Sequence, residues 1–258
     1  MAGAGGTPER EKLQRMQGGL VVSCQGPADD PFSGPEVMSR MAESVIRAGA
    51  VGIRAQGLDD LTAIRERVDE PLIGLWKDPT GELVITPTLK HALAVASTGA
   101  DIVALDGTSR QRPDGLALAD VIEAVHRTTR RLVMADVSTF AEGVAAEAAG
   151  ADVVATTLSG YTLYSPSSEM PDFQLVETLA SALMVPVFAE GRIWSPEDAR
   201  RALDSGAWAI VVGTAITSPA AIASRYCRAL RRTGRTGLPD DDDGAHASLP
   251  PRPPALTD

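Results

Sequence analysis

The chain has 258 residues, of which 44% are apolar and 4% aromatic, and it carries a net charge of −10. That length fits one large domain, and the apolar fraction is sufficient for an extended core. Nucleic-acid binding needs a basic surface, so the net charge argues against a nucleic-acid partner. No apolar run approaches the roughly 20 residues that cross a bilayer, so we expect no membrane partner.

The first residues of the chain and its two cysteines favour a cytoplasmic protein. Residues 1–6 lack the basic and apolar regions of a secretory signal. Cys24 and Cys227 are too few for a disulfide framework, which suits a reducing compartment.

We interpret Met1–Gln17 as an N-terminal arm or helix. The segment 233–258 is rich in Pro and Asp without periodicity, which predicts a disordered tail.

Eight short apolar runs alternate with helix-like segments between residues 18 and 232. The runs are Leu20–Ser23, Val51–Arg54, Leu72–Trp76, Ile102–Leu105, Leu132–Ala135, Val153–Thr156, Val185–Ala189 and Ala209–Val212. Such alternation produces either a barrel or a doubly wound sheet. No long crossover marks the reversal of strand order that a doubly wound sheet requires. We therefore predict a single α/β domain over residues 18–232, a (β/α)₈ TIM barrel.

Helix-capping motifs separate the runs and support this assignment. A glycine that can end a helix recurs in Ala48–Ala50, Thr98–Ala100, Ala149–Ala151 and Ser205–Ala207. Thr139 and Glu142 have the spacing of a capping box. Ser195-Pro196 and Ser218-Pro219 are typical of an N-cap residue followed by proline in the first helical position.

The polar residues that follow the runs are the candidate site, because TIM-barrel active sites lie at the C-terminal ends of the strands. In chain order they are Ser23, Cys24, Gln25, Arg54, Gln56, Lys77, Asp78, Asp106, Asp136, Ser138, Thr157, Ser159, Tyr161, Glu190, Gly191, Arg192, Gly213 and Thr214. Polar groups that converge from eight strands form a pocket. The set therefore predicts an enzyme.

Lys77 and Glu190 are the strongest candidates for chemistry. Burial at the mouth of an apolar barrel would lower the pKa of Lys77 and leave a neutral amine as base or nucleophile. The alternative is a lysine that reaches solvent or pairs with Asp78. Glu190 would be partly buried and could both give and take a proton. Its alternative role is a structural ion pair with Arg192.

The last two runs are followed by the pairs Gly191-Arg192 and Gly213-Thr214. TIM barrels commonly bind phosphate at these positions, where backbone N–H groups of glycine turns can surround a dianion. The pattern predicts a phosphate cradle.

Asp106 and Asp136 are expected to bind sugar hydroxyls or to hold Lys77 and Arg54 in place. We favour these roles over a shared metal ion. Histidine-based zinc sites and Ser-His-Asp triads are not expected, because the chain has only three histidines and none follows a run. Cys24 is interpreted as a buried core thiol.

Nine stretches carry a resemblance to a known family. They are Val21–Gln25, Ile53–Gly57, Ile73–Lys77, Ile85–Thr88, Ala104–Asp106, Met134–Thr139, Thr156–Thr162, Ala189–Ile193 and Val211–Thr217. Together they resemble the bacterial N-acetylmannosamine-6-phosphate 2-epimerases, over roughly residues 18–232. The runs Thr-Thr-Leu-Ser-Gly-Tyr-Thr and Ala-Asp-Val-Ser-Thr are the specific part of the likeness, whereas the glycine motifs alone are not.

The resemblance implies a cofactor-independent isomerase of sialic acid and amino-sugar catabolism. Such an enzyme interconverts N-acetylmannosamine 6-phosphate and N-acetylglucosamine 6-phosphate by removing and returning the proton on C2, without a metal. It makes Lys77 the proton-abstracting base and Glu190 its acid/base partner. The residues then expected to bind substrate are Gln25, Arg54, Asp136, Gly191, Arg192, Gly213 and Thr214. The partner is the amino-sugar phosphate, and a homo-oligomer is expected, with a dimer favoured.

Two departures from the family pattern lie at the phosphate end, and the segment Asp78–Gly81 also differs from the family's usual loop. Thr214 stands where the family usually has a glycine, and Ser218 where it has an arginine. Ser218 is either a better N-cap before Pro219 or a lost substrate contact. A non-catalytic or altered-substrate sugar-phosphate-binding barrel, and an aldolase using Lys77 as a Schiff base, remain alternatives.

Overall fold

The computed structural model describes residues 8–26 and 29–231, so the tail predicted over 233–258 lies outside the described residues. Eight parallel strands close into a barrel in which each strand pairs with the next in sequence and the last pairs with the first. The strands are β1 (Leu20–Cys24), β2 (Gly52–Gln56), β3 (Leu72–Leu75), β4 (Ile102–Asp106), β5 (Leu132–Asp136), β6 (Val153–Ala155), β7 (Val187–Glu190) and β8 (Ala209–Val212). The predicted TIM barrel is confirmed.

The helices are α1 (Pro8–Arg15), α2 (Pro35–Arg47), α3 (Leu58–Arg65), α4 (Leu89–Ser97), α5 (Leu118–Thr129), α6 (Phe140–Ala148), α7 (Phe173–Ala182), α8 (Pro196–Asp204), α9 (Thr214–Thr217) and α10 (Pro219–Arg231). The predicted caps are present. The Thr139 and Ser195 side chains accept hydrogen bonds from the N–H groups of the first turns of α6 and α8. In the part of the chain that is described, none of the helices is long and apolar enough to cross a membrane.

Apolar side chains fill two layers, which explains why the strands are apolar on both faces. Ile73, Ile102, Met134 and Phe188 are among the residues that pack inside the barrel. A second cluster lies between the strands and the surrounding helices. Three strands extend to an acidic residue, Asp106, Asp136 or Glu190. These carboxylates are therefore placed by the regular strand backbone rather than by a loop.

Helix α1 covers the N-terminal end of the barrel. Leu13 and Met16, at its end and just after it, are buried with the interior cluster. The Lys12 Nζ atom lies 2.8 Å from Asp101 Oδ1, which precedes β4. Because α1 packs across this end, a substrate pocket is expected at the opposite end, where the strands terminate.

Candidate active site

Arg54 on β2 and Asp136 at the end of β5 form the buried centre of the site. Arg54 Nη2 lies 2.7 Å from Asp136 Oδ2, and Arg54 Nη1 donates to Asp136 Oδ1 at 3.1 Å. Both side chains are essentially inaccessible to solvent. Burial alone would lower the pKa of Arg54, but the charges of Asp136 and Glu190 outweigh it and raise that pKa. The guanidinium is therefore a fixed positive charge inside the barrel.

Glu190, the last residue of β7, is next to this pair. Its Oε2 atom lies 3.3 Å from Arg54 Nη1 and 3.1 Å from the Thr157 hydroxyl. The Thr156 hydroxyl holds the Glu190 backbone, accepting from its N–H at 3.1 Å and donating to its carbonyl at 3.0 Å. Burial raises the pKa of Glu190 to about 7, although the Arg54 charge opposes the rise. Glu190 can therefore exist as an acid or as a base near neutral pH.

Lys77 follows β3, and its backbone position is set by a chain reversal. Lys77 and Ile85 form an antiparallel bridge. Asp78 N–H donates to the Val84 carbonyl at 2.9 Å, so the two sides of the reversal are joined beyond the bridge as well. Burial and the Arg54 charge together lower the pKa of Lys77 to about 8, against the opposing charges of Glu190 and Asp136. An appreciable fraction of the amine is therefore neutral at physiological pH.

The glycine turns predicted to form the phosphate cradle lie after β7 and β8. Gly191 has a φ of 114°, which side-chain-bearing residues rarely adopt. Gly213 packs against β1 so closely that an added Cβ would lie 3.2 Å from Ser23 Cβ. Thr214 opens the short helix α9, whose Thr217 hydroxyl donates to the Ser23 carbonyl at 3.0 Å. The β8–α9 turn is thereby fastened to the end of β1.

Arg192 and Gln25 make local contacts at the same end of the barrel. The Arg192 side chain crosses to the segment after β6, where its Nε donates to the Met170 carbonyl at 2.8 Å and its Nη1 to the Ser159 carbonyl at 2.6 Å. Its backbone N–H is therefore the part of Arg192 that is suited to a phosphate cradle. Gln25 Nε2 donates to the Ser23 hydroxyl at 2.8 Å, which orients the amide at the end of β1.

Comparison with known proteins gives a consistent result. The profile of the family described as "Putative N-acetylmannosamine-6-phosphate epimerase" matches residues 38–232. A Cutibacterium acnes protein named "Putative N-acetylmannosamine-6-phosphate 2-epimerase" is 50% identical over 221 residues, which are 85% of this chain and 96% of that protein. The chain belongs to the N-acetylmannosamine-6-phosphate 2-epimerase family. The resemblance inferred from the sequence is confirmed.

Solved structures give the same family and a wider group with a similar fold. The N-acetylmannosamine-6-phosphate 2-epimerase of Clostridium perfringens superposes with a TM-score of 0.83 at 42% identity, covering 88% of this chain and all of that one. A thiamine phosphate pyrophosphorylase from Pyrococcus furiosus superposes with a TM-score of 0.56 at 18% identity, covering 86% of this chain and 98% of that one. The second likeness shows a common barrel fold alone.

Among the residues expected from the sequence, the structure brings Lys77, Glu190, Arg54 and Asp136 into one electrostatically coupled group. Glu190 pairs with Arg54 rather than with Arg192. Asp106 makes a different contact, in which its Oδ2 atom accepts from Arg110 Nη2 at 2.6 Å. That bond ties β4 to its own loop.

Thr157 is the member of the group that sequence reasoning left without a role. It was one of many polar residues after the strands, and nothing in its spacing distinguished it from Ser159 or Ser138. Its hydroxyl contacts both Asp136 and Glu190. Only the three-dimensional structure distinguishes Thr157 from the other polar residues, because the two acids that it contacts lie on different strands.

Proposed function

We propose that this chain catalyses the reversible 2-epimerisation of N-acetylmannosamine 6-phosphate to N-acetylglucosamine 6-phosphate. One observation carries the proposal. Lys77 and Glu190, from opposite sides of the barrel mouth, interact with the same buried Arg54, and their pKa values of about 8 and about 7 both lie near neutrality. An amine base and a carboxylic acid of this kind are the two groups that a C2 epimerisation needs. Membership of the family supports the assignment.

The chemistry requires the open-chain sugar, in which the C1 aldehyde makes the C2 hydrogen acidic. Neutral Lys77 removes that hydrogen as a proton and becomes an ammonium ion. The electron pair of the C2–H bond forms a C1=C2 double bond, and the C1 oxygen takes a proton from Glu190. The Lys77 ammonium ion then returns a proton to the opposite face of C2, while the Glu190 carboxylate takes back the proton of the C1 hydroxyl, and this gives the epimer. Protein side chains supply every proton transfer in this scheme.

Arg54 and the phosphate end have binding roles in this scheme. The Arg54 guanidinium stabilises negative charge that develops on the C1 oxygen of the enolate, because a fixed charge in a buried site needs no reorganisation. Backbone N–H groups at Gly191, Arg192, Gly213 and Thr214 surround the phosphate. Phosphate binding then positions the reacting carbons and contributes binding energy remote from C2. Gln25 binds the sugar. Asp136 contributes by orienting Arg54.

The test is to incubate the protein with N-acetylmannosamine 6-phosphate in D₂O and to follow C2 by NMR. Appearance of N-acetylglucosamine 6-phosphate with deuterium at C2 is the expected result. Neither exchange nor product would favour a sugar-phosphate-binding barrel without catalysis and would overturn the proposal. Borohydride treatment should leave no covalent adduct, whereas a substrate adduct on Lys77 would indicate aldolase chemistry. The unphosphorylated sugar, run in parallel, measures how much the phosphate contributes.

We further propose that the enzyme is a cytoplasmic homodimer. Cys24 is a buried free thiol and Cys227 an exposed one, as suits a reducing compartment. Helix α10 exposes Tyr226 and Leu230, large apolar side chains of a kind common at subunit contacts. Light scattering after size-exclusion chromatography should give twice the chain mass of 27.0 kDa.

A further inference from the structure

The Thr157 hydroxyl lies between two acidic side chains of the site. Its Oγ1 atom is 2.6 Å from Asp136 Oδ1 and 3.1 Å from Glu190 Oε2. A hydroxyl has one hydrogen, so Thr157 can donate to only one of these oxygens at a time. The other contact is a hydrogen bond only if the acid itself supplies the proton.

Asp136 is the acid that receives the Thr157 hydrogen. Its distance to Oγ1 is the shorter of the two, as expected for a hydroxyl that donates to a carboxylate. Asp136 also accepts two hydrogen bonds from the Arg54 guanidinium, so its carboxylate oxygens face donors. Glu190 therefore faces a lone pair of Thr157. At 3.1 Å that arrangement is favourable when Glu190 Oε2 carries a proton and unfavourable when both groups only accept.

We propose that Thr157 is a positioning residue that holds the proton on Glu190 in the resting enzyme. The hydroxyl donates its hydrogen to Asp136, which pairs with Arg54, and leaves a lone pair facing the protonated carboxyl of Glu190. This inference rests on the proposed function only in giving neutral Glu190 a use, as the acid that protonates the C1 oxygen. The hydrogen-bond arrangement itself is independent of the substrate.

The groups that face Glu190 from the other strands have opposing effects on its ionisation. Arg54 from β2, at 3.3 Å, and the ammonium form of Lys77 after β3 favour ionised Glu190. Burial and the negative charge of Asp136 on β5 favour neutral Glu190. A Thr157 hydroxyl that donated to Glu190 would favour the ionised form. With its only hydrogen on Asp136, it presents a lone pair to Glu190 and adds to the second set. Removal of the hydroxyl should therefore make Glu190 ionise at a lower pH.

The experiment is an infrared titration of the substrate-free protein. A protonated carboxyl group has a C=O stretching band distinct from that of a carboxylate, and Glu190→Gln identifies the band that belongs to Glu190. The midpoint of that band is compared in the wild type, Thr157→Val and Thr157→Ser. Thr178→Val is the matched control, because this hydroxyl lies on α7 and donates to the carbonyls of Gln174 and Leu175.

We expect Thr157→Val to lower the Glu190 midpoint by about half to one pH unit, the size of one lost hydrogen bond. Thr157→Ser should restore the wild-type midpoint, and Thr178→Val should leave it unchanged. An unchanged midpoint in Thr157→Val would overturn the proposal. A raised midpoint would overturn it too, since it would mean that Thr157 donates to ionised Glu190. Thr157→Ala provides the same comparison if valine prevents folding, as judged by circular dichroism.

Kinetics then separate this inference from the proposed function. If the protein epimerises the sugar phosphate, the limb of the kcat/KM–pH profile that reports Glu190 should shift in Thr157→Val in parallel with the infrared midpoint. A purely structural role would lower kcat without moving that limb, and would contradict the proposal. An infrared shift in a protein that shows no epimerisation would leave the Thr157 assignment standing and remove the proposed function.

Discussion

Arg54 and Asp136 form a two-point ion pair that spans the interior of the barrel from β2 to β5, with N–O distances of 2.7 and 3.1 Å. Both oxygens of Asp136 are engaged by the guanidinium, and Oδ1 also accepts from Thr157. Of the two roles expected for Asp136, this geometry supports holding Arg54 in place rather than direct binding of a sugar hydroxyl. The pair fixes the charge around which Lys77 and Glu190 are arranged.

Removal of one partner from this pair should be strongly destabilising. Asp136→Asn leaves the Arg54 charge buried without its main counter-ion, which costs about 3–5 kcal/mol. Urea unfolding followed by circular dichroism measures the change. Glu123→Gln is the matched control, because Glu123 pairs with Arg127 at 3.0 Å on the exposed face of α5. That loss should be within about 1 kcal/mol. Equal effects of the two substitutions would contradict a structural role for the buried pair.

Lys77→Met should abolish deuterium exchange at C2 while the fold is retained. The methionine side chain fills much of the same space but cannot accept a proton, and a general base contributes about 10²- to 10⁴-fold to rate. The measurement is the NMR exchange assay in D₂O. Lys90→Met, on the exposed face of α4, should exchange at the wild-type rate. Substantial residual exchange in Lys77→Met would assign the base to another residue.

The positions of the strands could be predicted from sequence because parallel strands covered by helices are apolar on both faces. The ends of each predicted run lie within two residues of the ends of an observed strand. The capping roles of Thr139 and Ser195 could also be predicted from the sequence, because a cap depends on residues only three positions away. Barrel topology then placed Lys77 and Glu190 at the same end of the molecule.

Contacts across the barrel could not be predicted in this way. Arg54 and Asp136 are 82 positions apart, and the order of strands alone does not determine which side chains meet in the interior. An ion pair of Glu190 with Arg192 was the alternative role that their nearness in sequence suggested. Arg192 has a φ of 58°, and its side chain instead reaches carbonyls of the segment after β6. Local sequence carries no signal for that direction.

The raised pKa of Glu190 predicts a pH-dependent effect of Glu190→Gln on stability. The folded pKa of about 7 exceeds the ordinary value of 4.5, so the unfolded chain releases this proton at a lower pH. The wild type therefore loses stability as the pH rises from about 4.5 through about 7, by about 3 kcal/mol at most. Glutamine resembles the neutral acid and has no such loss.

Glu190→Gln should thus match the wild type near pH 4.5 and be more stable above pH 7, as measured by urea unfolding at several pH values. Glu177 lies at an exposed position of α7. The difference in free energy of unfolding between Glu177→Gln and the wild type should therefore not change with pH over this range. A Glu190→Gln protein whose advantage shrinks with rising pH would mean that Glu190 is stabilised as a carboxylate. That result would also remove the basis for its role as an acid.

Substitutions of Ser218 test whether the departure from the family pattern at the predicted phosphate end affects folding or binding. Its hydroxyl accepts from Ala221 N–H at 3.3 Å, so it caps α10. Loss of such a cap costs about 1 kcal/mol, and Ser218→Ala should make the amides of the first turn of α10 exchange with solvent about fivefold faster. Ser195→Ala, which removes the corresponding cap of α8, is the matched comparison.

The KM for the sugar phosphate should be the same in Ser218→Ala as in the wild type, because a cap acts on the helix and not on the substrate. Ser218→Arg restores the residue that the family usually has there. If that variant lowers KM for the phosphorylated sugar tenfold or more, while the unphosphorylated sugar is unaffected, Ser218 marks a lost phosphate contact. If KM is unchanged, the backbone N–H groups after β7 and β8 suffice to bind the phosphate, and the serine was retained for the helix that follows.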